Sequence, residues 1–258
     1  MKIGIFDSGV GGLLIAKSIR KLLPQYDYVY LGDTKRVPYG NRSHETILEF
    51  TREGVHHLFE KENCAFVLIA CNTASAQALK ELNTEMPTKK IFGVIHPVVD
   101  KCLDYKKIGV IATSATVSSN TFVNEIKIIN PKAKVFQNSA PMLVPLIENG
   151  EIKNALPFLK EYLKPLINKK IDTLILGCTH YPYLKKEIKN ILPKNVTIIS
   201  QDEIIPKTVK EFLSTHPDIE KKISKKGIAK ILVTDKTKNM ERLAHKWFGK
   251  ENLSVVEL

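Results

Sequence analysis

The sequence predicts an α/β protein of two similar lobes, each with a largely parallel sheet flanked by helices. The lobes are related by a pseudo-twofold and enclose an active site in the cleft between them. Three observations carry that prediction. Apolar runs of strand length alternate with longer stretches of helical spacing along all 258 residues. Two of the runs, Phe66-Val67-Leu68-Ile69-Ala70 and Thr173-Leu174-Ile175-Leu176-Gly177, each deliver a cysteine into a polar turn, at Cys71 and at Cys178. The landmarks also recur: Asp7 precedes Cys71 by about 65 positions, Thr113 precedes Cys178 by about the same, and a strand is expected before each.

In chain order, a strand over 2–6 enters the glycine-rich turn Asp7-Ser8-Gly9-Val10-Gly11-Gly12. Leu13, Ile15, Ala16, Ile19 and Leu22 then keep helical spacing up to Pro24. A strand over 28–31 ends at Gly32-Asp33. The turn around Pro38 and Gly40 follows, and then a helix opened by Ser43 that runs to about Glu60. His56 and His57 on that helix are adjacent, so they share no face and read as packing and surface residues. After Cys71 a helix is expected over 74–82, a strand over 91–95 and a mixed segment through Cys102, which reads with Cys64 as a small buried hydrophobe. The pattern restarts with a strand over 108–112 and Thr113-Ser114-Ala115-Thr116. It continues through a strand over 134–137, a helix ending near Glu148 and Gly150, a helix over 152–167 and the strand that carries Cys178. A strand over 197–200, a helix over 204–213, a strand over 229–234 and a last helix over 240–247 complete the reading. The late strand is expected to return to the first lobe, so that 1–95 with 206–258 forms one lobe and 96–205 the other.

The residue totals narrow the classes of function. Hydrophobic residues make up 43% and charged residues 26%, and no apolar run is long enough to cross a membrane. The first residues lack the apolar stretch and cleavage site of a signal peptide. Four dispersed cysteines with no Cys-x-x-Cys spacing argue against a zinc ribbon and a disulfide framework, so no metal is expected, and a reducing cytoplasm fits. The net charge of +12 would suit a nucleic-acid partner, but its lysines fall in scattered doublets such as Lys89-Lys90 and Lys221-Lys222. No nucleic-acid partner is therefore expected, and the charge is read as solvated surface that favours small anions.

Ligands of open α/β sheets collect at the carboxyl ends of strands, where a helix N-terminus favours a thiolate. Two thiols so placed leave three readings: a redox couple, unrelated structural thiols, or an acid/base pair acting on opposite faces of one carbon. A redox couple would bring the sulfurs to bonding distance. A carbon-acid site keeps them apart, and a thiol pKa of about 8.5 lets one serve as base and the other as acid near neutrality. Asp7 beside Cys71 and His180 beside Cys178 are the proton partners, while Ser8, Asn72, Thr73 and Thr179 offer hydrogen bonds to a carboxylate and an amine.

Phe6-Asp7-Ser8-Gly9-Val10-Gly11-Gly12, Gly32-Asp33, Val37-Pro38-Tyr39-Gly40, Ala70-Cys71-Asn72-Thr73-Ala74-Ser75, Pro145-Leu146-Ile147-Glu148-Asn149-Gly150 and Gly177-Cys178-Thr179-His180-Tyr181-Pro182 resemble, in order, the motifs of bacterial glutamate racemases in the aspartate/glutamate racemase superfamily. The resemblance implies a cofactor-independent enzyme that interconverts L-glutamate and D-glutamate, supplies D-glutamate for peptidoglycan and forms a homodimer. It implies Cys71 and Cys178 as the acid/base pair, with Asp7, Glu148 and His180 as auxiliary catalytic groups. Asp7, Ser8, Tyr39, Gly40, Asn72, Thr73, Thr113, Thr116, Thr179 and His180 would bind substrate. Aspartate racemases usually carry Glu where this chain has His180, which favours glutamate over aspartate as substrate. Many members also carry Glu where this chain has His96, which implies a difference in contacts around the site and none in the reaction.

Overall fold

The computed structural model describes residues 1–249 and 253–258. Strand β1 (Lys2–Asp7) is buried from Ile3 onward, and helix α1 (Leu13–Leu22) packs Leu13, Ile15, Ala16 and Ile19 inward. A helix that buries one stripe draws its stability from that packing, at about 1.5–3 kcal/mol per fully buried large apolar side chain. Strand β2 (Tyr28–Gly32) is followed by α2 (His44–Glu60), whose first turn is capped by Ser43 Oγ accepting from the Thr46 amide. Such a cap contributes about 1 kcal/mol. Strand β3 (Cys64–Ile69) leads to α3 (Asn72–Glu85), and β4 (Ile91–Gly93) to α4 (Ile95–Val99).

Strand β5 (Lys107–Ala112) opens the second half. After it come α5 (Ser114–Ser118), α6 (Thr121–Ile129), β6 (Lys134–Ser139), α7 (Leu143–Glu148), α8 (Ile152–Asn168) and β7 (Thr173–Gly177). Helix α9 (Lys185–Ile191), β8 (Thr197–Ile199), α10 (Gln201–Thr215) and α11 (Pro217–Glu220) follow, then β9 (Ala229–Val233), α12 (Lys238–Trp247) and β10 (Leu253–Val255).

The strands form two sheets, ordered β10-β9-β2-β1-β3-β4 and β6-β5-β7-β8. Every pairing in both is parallel. Parallel sheets are covered by helices on both faces, which is why β2, β3 and β7 are almost continuously apolar and buried. The order β2-β1-β3-β4 is repeated as β6-β5-β7-β8, so the two halves share one topology despite their slight sequence similarity. In each, the chain steps first to one side of its opening strand and then to the other. Such a reversal leaves a crevice at the carboxyl ends of the two strands that diverge. Those strands are β1 and β3 in one sheet, leading to Asp7 and Cys71, and β5 and β7 in the other, leading to Thr113 and Cys178.

Two local expectations are corrected. The strand expected over 91–95 stops at Gly93, and His96 and Pro97 lie within α4. Ile95, Val98 and Val99 are buried at helical spacing, and Ser75 Oγ accepts from the Val94 amide where the chain turns. Thr113 to Ser119 follows the opening strand of its sheet as Asp7 to Gly12 follows β1, and Thr113 caps α5 by accepting from the Thr116 amide. The segment after Cys178 winds as a 3-10 turn over Tyr181–Leu184 before α9, so the two cysteines are not placed alike relative to their helices. His96 is two-thirds exposed between Asp100 and Glu125 and does not contact the site.

Candidate active site

Cys71 follows β3 and caps α3, with its sulfur accepting from the Ala74 amide at 3.4 Å and 3.3 Å from Ser8 Oγ. The expected stabilisation of a thiolate at this helix start is outweighed. Burial, reinforced by the negative charge of Asp7, pushes the Cys71 thiol up to about 12, against smaller opposing effects of Ser8 and Ala74. Asp7 is buried below it. Its Oδ2 accepts from the Gly9 amide at 3.0 Å, while Oδ1 has no hydrogen-bond partner. Burial raises the Asp7 carboxyl above its ordinary range, although His180 and the Gly9 and Gly12 amides act the other way.

Cys178 is approached differently. Its sulfur lies 3.7 Å from His180 Nδ1, and His180 Nε2 lies 2.9 Å from Glu148 Oε1, which makes a carboxylate–imidazole–sulfur chain. Burial alone would depress the imidazole, but its bonds to Cys178 and Glu148 prevail and raise it to about 10. At neutral pH His180 is an imidazolium, a positive charge in place beside the Cys178 sulfur. The ring is held from behind by Trp247 of α12, edge-on at 5.7 Å between centroids, and Arg242 donates to the backbone oxygen of Glu148 at 3.1 Å.

Both sulfurs are free and line one cavity of about 350 Å³, within the size range of small-molecule sites. Ser8, Tyr39, Gly40, Asn72, Thr73, Thr113, Glu148, Thr179 and His180 line it as well. Asp7 and Thr116 lie behind the wall, fully buried. Three hydroxyls knit the two halves together here: Thr73 Oγ1 is 2.9 Å from Thr113 Oγ1, which is 2.9 Å from Thr116 Oγ1. Tyr39 donates to Asp33 Oδ2 at 2.5 Å, and Arg36 and Thr234 also bond to that carboxylate, fixing the phenol that forms part of the wall.

Sequence reasoning missed the apolar rim of Val37, Pro38, Pro141, Met142, Val144 and Pro145, although three of these fall in motifs already singled out. It also missed Gln201, Arg242 and Trp247, which carry no signal beyond ordinary helix composition. Among the described residues neither lysine nor arginine lines the cavity, so a bound anion would be met by hydroxyls, amides, backbone N–H groups and the His180 ring.

Two free thiols on the wall of one small cavity, each from a different parallel sheet and backed by its own titratable group, define an isomerase-type site acting on a carbon acid. The profile of the Asp/Glu/Hydantoin racemase family matches residues 14–205, and the chain belongs to that family. Over 256 residues it is 43% identical to a glutamate racemase of Aquifex aeolicus, covering 97% of this chain and 95% of the relative. It is 40% identical to a glutamate racemase of a Sulfurihydrogenibium species, over 100% of this chain and 98% of that one. Its structure is similar to that of Francisella tularensis glutamate racemase in complex with D-glutamate, with a TM-score of 0.92 at 33% identity, covering 99% of this chain and 97% of the other. The two-lobe α/β architecture is common to both.

Proposed function

We infer that the chain is a glutamate racemase, interconverting L-glutamate and D-glutamate by two-base proton transfer between Cys71 and Cys178. The observation that carries this reading is the presence of two free thiols on the wall of one cavity, each delivered by a different sheet. Near-full-length relatives named as glutamate racemases support glutamate as the substrate.

In the forward turn one sulfur, as thiolate, takes the α-proton. The resulting carbanion accepts a proton on its opposite face from the other sulfur, which leaves as thiolate. The α-carbon is inverted, the bases have exchanged protonation states, and the reverse reaction restores them. With its thiol pushed up to about 12 by burial, Cys71 is suited to donate a proton. Glu148 orients His180 and stabilises its positive charge; Asp7 tunes Cys71 from below. Ser8, Tyr39, Gly40, Asn72, Thr73, Thr113, Thr179 and His180 hold the substrate, and Thr116 supports Thr113 from behind. The scheme uses only side chains of this chain.

The same reading makes the enzyme a cytoplasmic supplier of D-glutamate for peptidoglycan and a homodimer, with 1–95 plus 206–258 and 96–205 as its two lobes. The membership of β9 and β10 in the first sheet supports that division, and no helix among the described residues is long and apolar enough to cross a membrane. The deciding experiment follows each enantiomer of glutamate by circular dichroism in deuterated water, with L-aspartate as comparator. Deuterium should enter the α-carbon of glutamate. Cys71→Ser or Cys178→Ser should reduce racemisation by ~10²–10⁴-fold; full turnover in either variant overturns the assignment.

A further inference from the structure

Helix α7 is six residues long, fewer than two turns, and its last residue is Glu148. So short a helix keeps its direction through what its ends are tied to. The Asn149, Gly150 and Glu151 amides donate to the Pro145, Ile147 and Leu146 carbonyls, and Arg242 Nη2 donates to the Glu148 carbonyl at 3.1 Å. That last cap comes from the other half of the molecule. Arg242 stands on α12, after β9 of the six-stranded sheet, while α7 lies between β6 and β7 of the four-stranded one. The guanidinium is itself held by Asn239 one turn earlier, whose Oδ1 accepts from Nη2 at 2.6 Å and from Nε at 3.2 Å.

The residue that Arg242 grips by its backbone carries the carboxylate that meets His180 Nε2 at 2.9 Å, and His180 Nδ1 in turn faces the Cys178 sulfur. A cation also suits the carboxyl end of a helix, where unpaired carbonyls gather negative charge. Arg242 is exposed on α12 and does not line the cavity, so it neither fills the core nor touches a ligand there. Its only route to the chemistry runs through Glu148.

We propose that Arg242 is a positioning residue for proton transfer at Cys178: by capping α7 from the opposite half of the molecule, it fixes the Glu148 carboxylate against His180. The kinetic consequences rest on the glutamate reading above; the effect on His180 does not. A direction separates this role from a remote effect of charge. Hydrogen bonds and charge from Cys178 and Glu148 raise the His180 imidazole, and Asp7 lies within its field. Removing a cation from that neighbourhood would raise the imidazole further, whereas letting Glu148 drift from Nε2 lowers it.

The test compares the wild type with three variants: Arg242→Met, which keeps length without a donor, Arg242→Lys, which keeps a donor, and Asn239→Leu, which only frees the guanidinium. In Arg242→Met, kcat for both enantiomers of glutamate should fall on the order of tenfold, with KM within about threefold of wild type. The His180 ring, followed by ¹⁵N NMR, should lose its proton about one pH unit lower than in the wild type. Arg242→Lys should recover most of both properties, and Asn239→Leu should move both in the direction of Arg242→Met by less. Three results would overturn the proposal: a kcat within about twofold of wild type in Arg242→Met, a His180 ring in that variant that titrates as in the wild type or higher, or an Arg242→Lys no better than Arg242→Met. A wild type that does not racemise glutamate would overturn the glutamate reading, and the His180 titration by itself would then decide whether Arg242 sets the Glu148–His180 contact.

Discussion

Gly11 lies against the imidazole of His180 so closely that a Cβ on Gly11 would overlap the His180 ring and the Thr179 hydroxyl. The glycine turn of the first sheet thus abuts the acid/base chain of the second, and side-chain absence at this one position is what lets them meet. Gly11→Ala should displace His180 from Cys178 or Glu148. Turnover should fall by at least about tenfold, and the His180 ring resonances, followed by NMR, should move. An alanine variant with unchanged turnover and an unmoved ring would contradict the contact.

The raised pKa of His180 has a consequence for stability. Its folded value, about 10, lies above the ordinary histidine value of about 6.5, so the folded state binds that proton more tightly than the unfolded chain does. The contribution is fully present below about pH 6.5 and is lost as pH rises toward 10. The melting temperature of the wild type should therefore fall relative to that of His180→Gln between pH 7 and pH 10. Parallel curves for the two proteins would mean that the imidazolium contributes nothing to the fold.

The four thiols should divide by location. Cys64 and Cys102 are buried outside the cavity, and burial pushes both up to about 12, whereas Cys71 and Cys178 line the cavity. A small haloacetamide should modify at most the two cavity thiols of the native protein, and all four after unfolding. Glutamate should slow the native reaction. Peptide mapping that finds Cys64 or Cys102 labelled first would refute this division.

Tyr39 and Asp33 form a buried pair in which the phenol donates to the carboxylate. Tyr39→Phe removes the donor and leaves Asp33 to Arg36 and Thr234 alone. A cost of about 1–3 kcal/mol in denaturant unfolding is expected, with an increase in KM because the ring is part of the cavity wall. A variant as stable as wild type would show that Arg36 and Thr234 satisfy the carboxylate unaided.

The strands that carry Cys71 and Cys178 were legible because a strand buried on both faces is apolar without interruption, and the polar turn after it stands out. The repeat was legible through spacing, and its shared strand order confirms the two-lobe reading. What escaped depends on distant partners. The direction of the Cys71 shift is set by burial and by Asp7, which a helix-start argument does not include. Gln201 reads as an ordinary polar residue before a helix until Asn72 is beside it, and Arg242 and Trp247 read as one exposed and one core residue of a terminal helix. Strand β10 is three residues long, too short for a pattern.

Because β9 and β10 rejoin the sheet begun by β1, the chain crosses between the two sheets twice, leaving the six-stranded one after β4 and returning to it before β9. A cut in the first crossing would therefore still leave the fragment that carries Cys178 anchored, through β9 beside β2, in the sheet that carries Cys71.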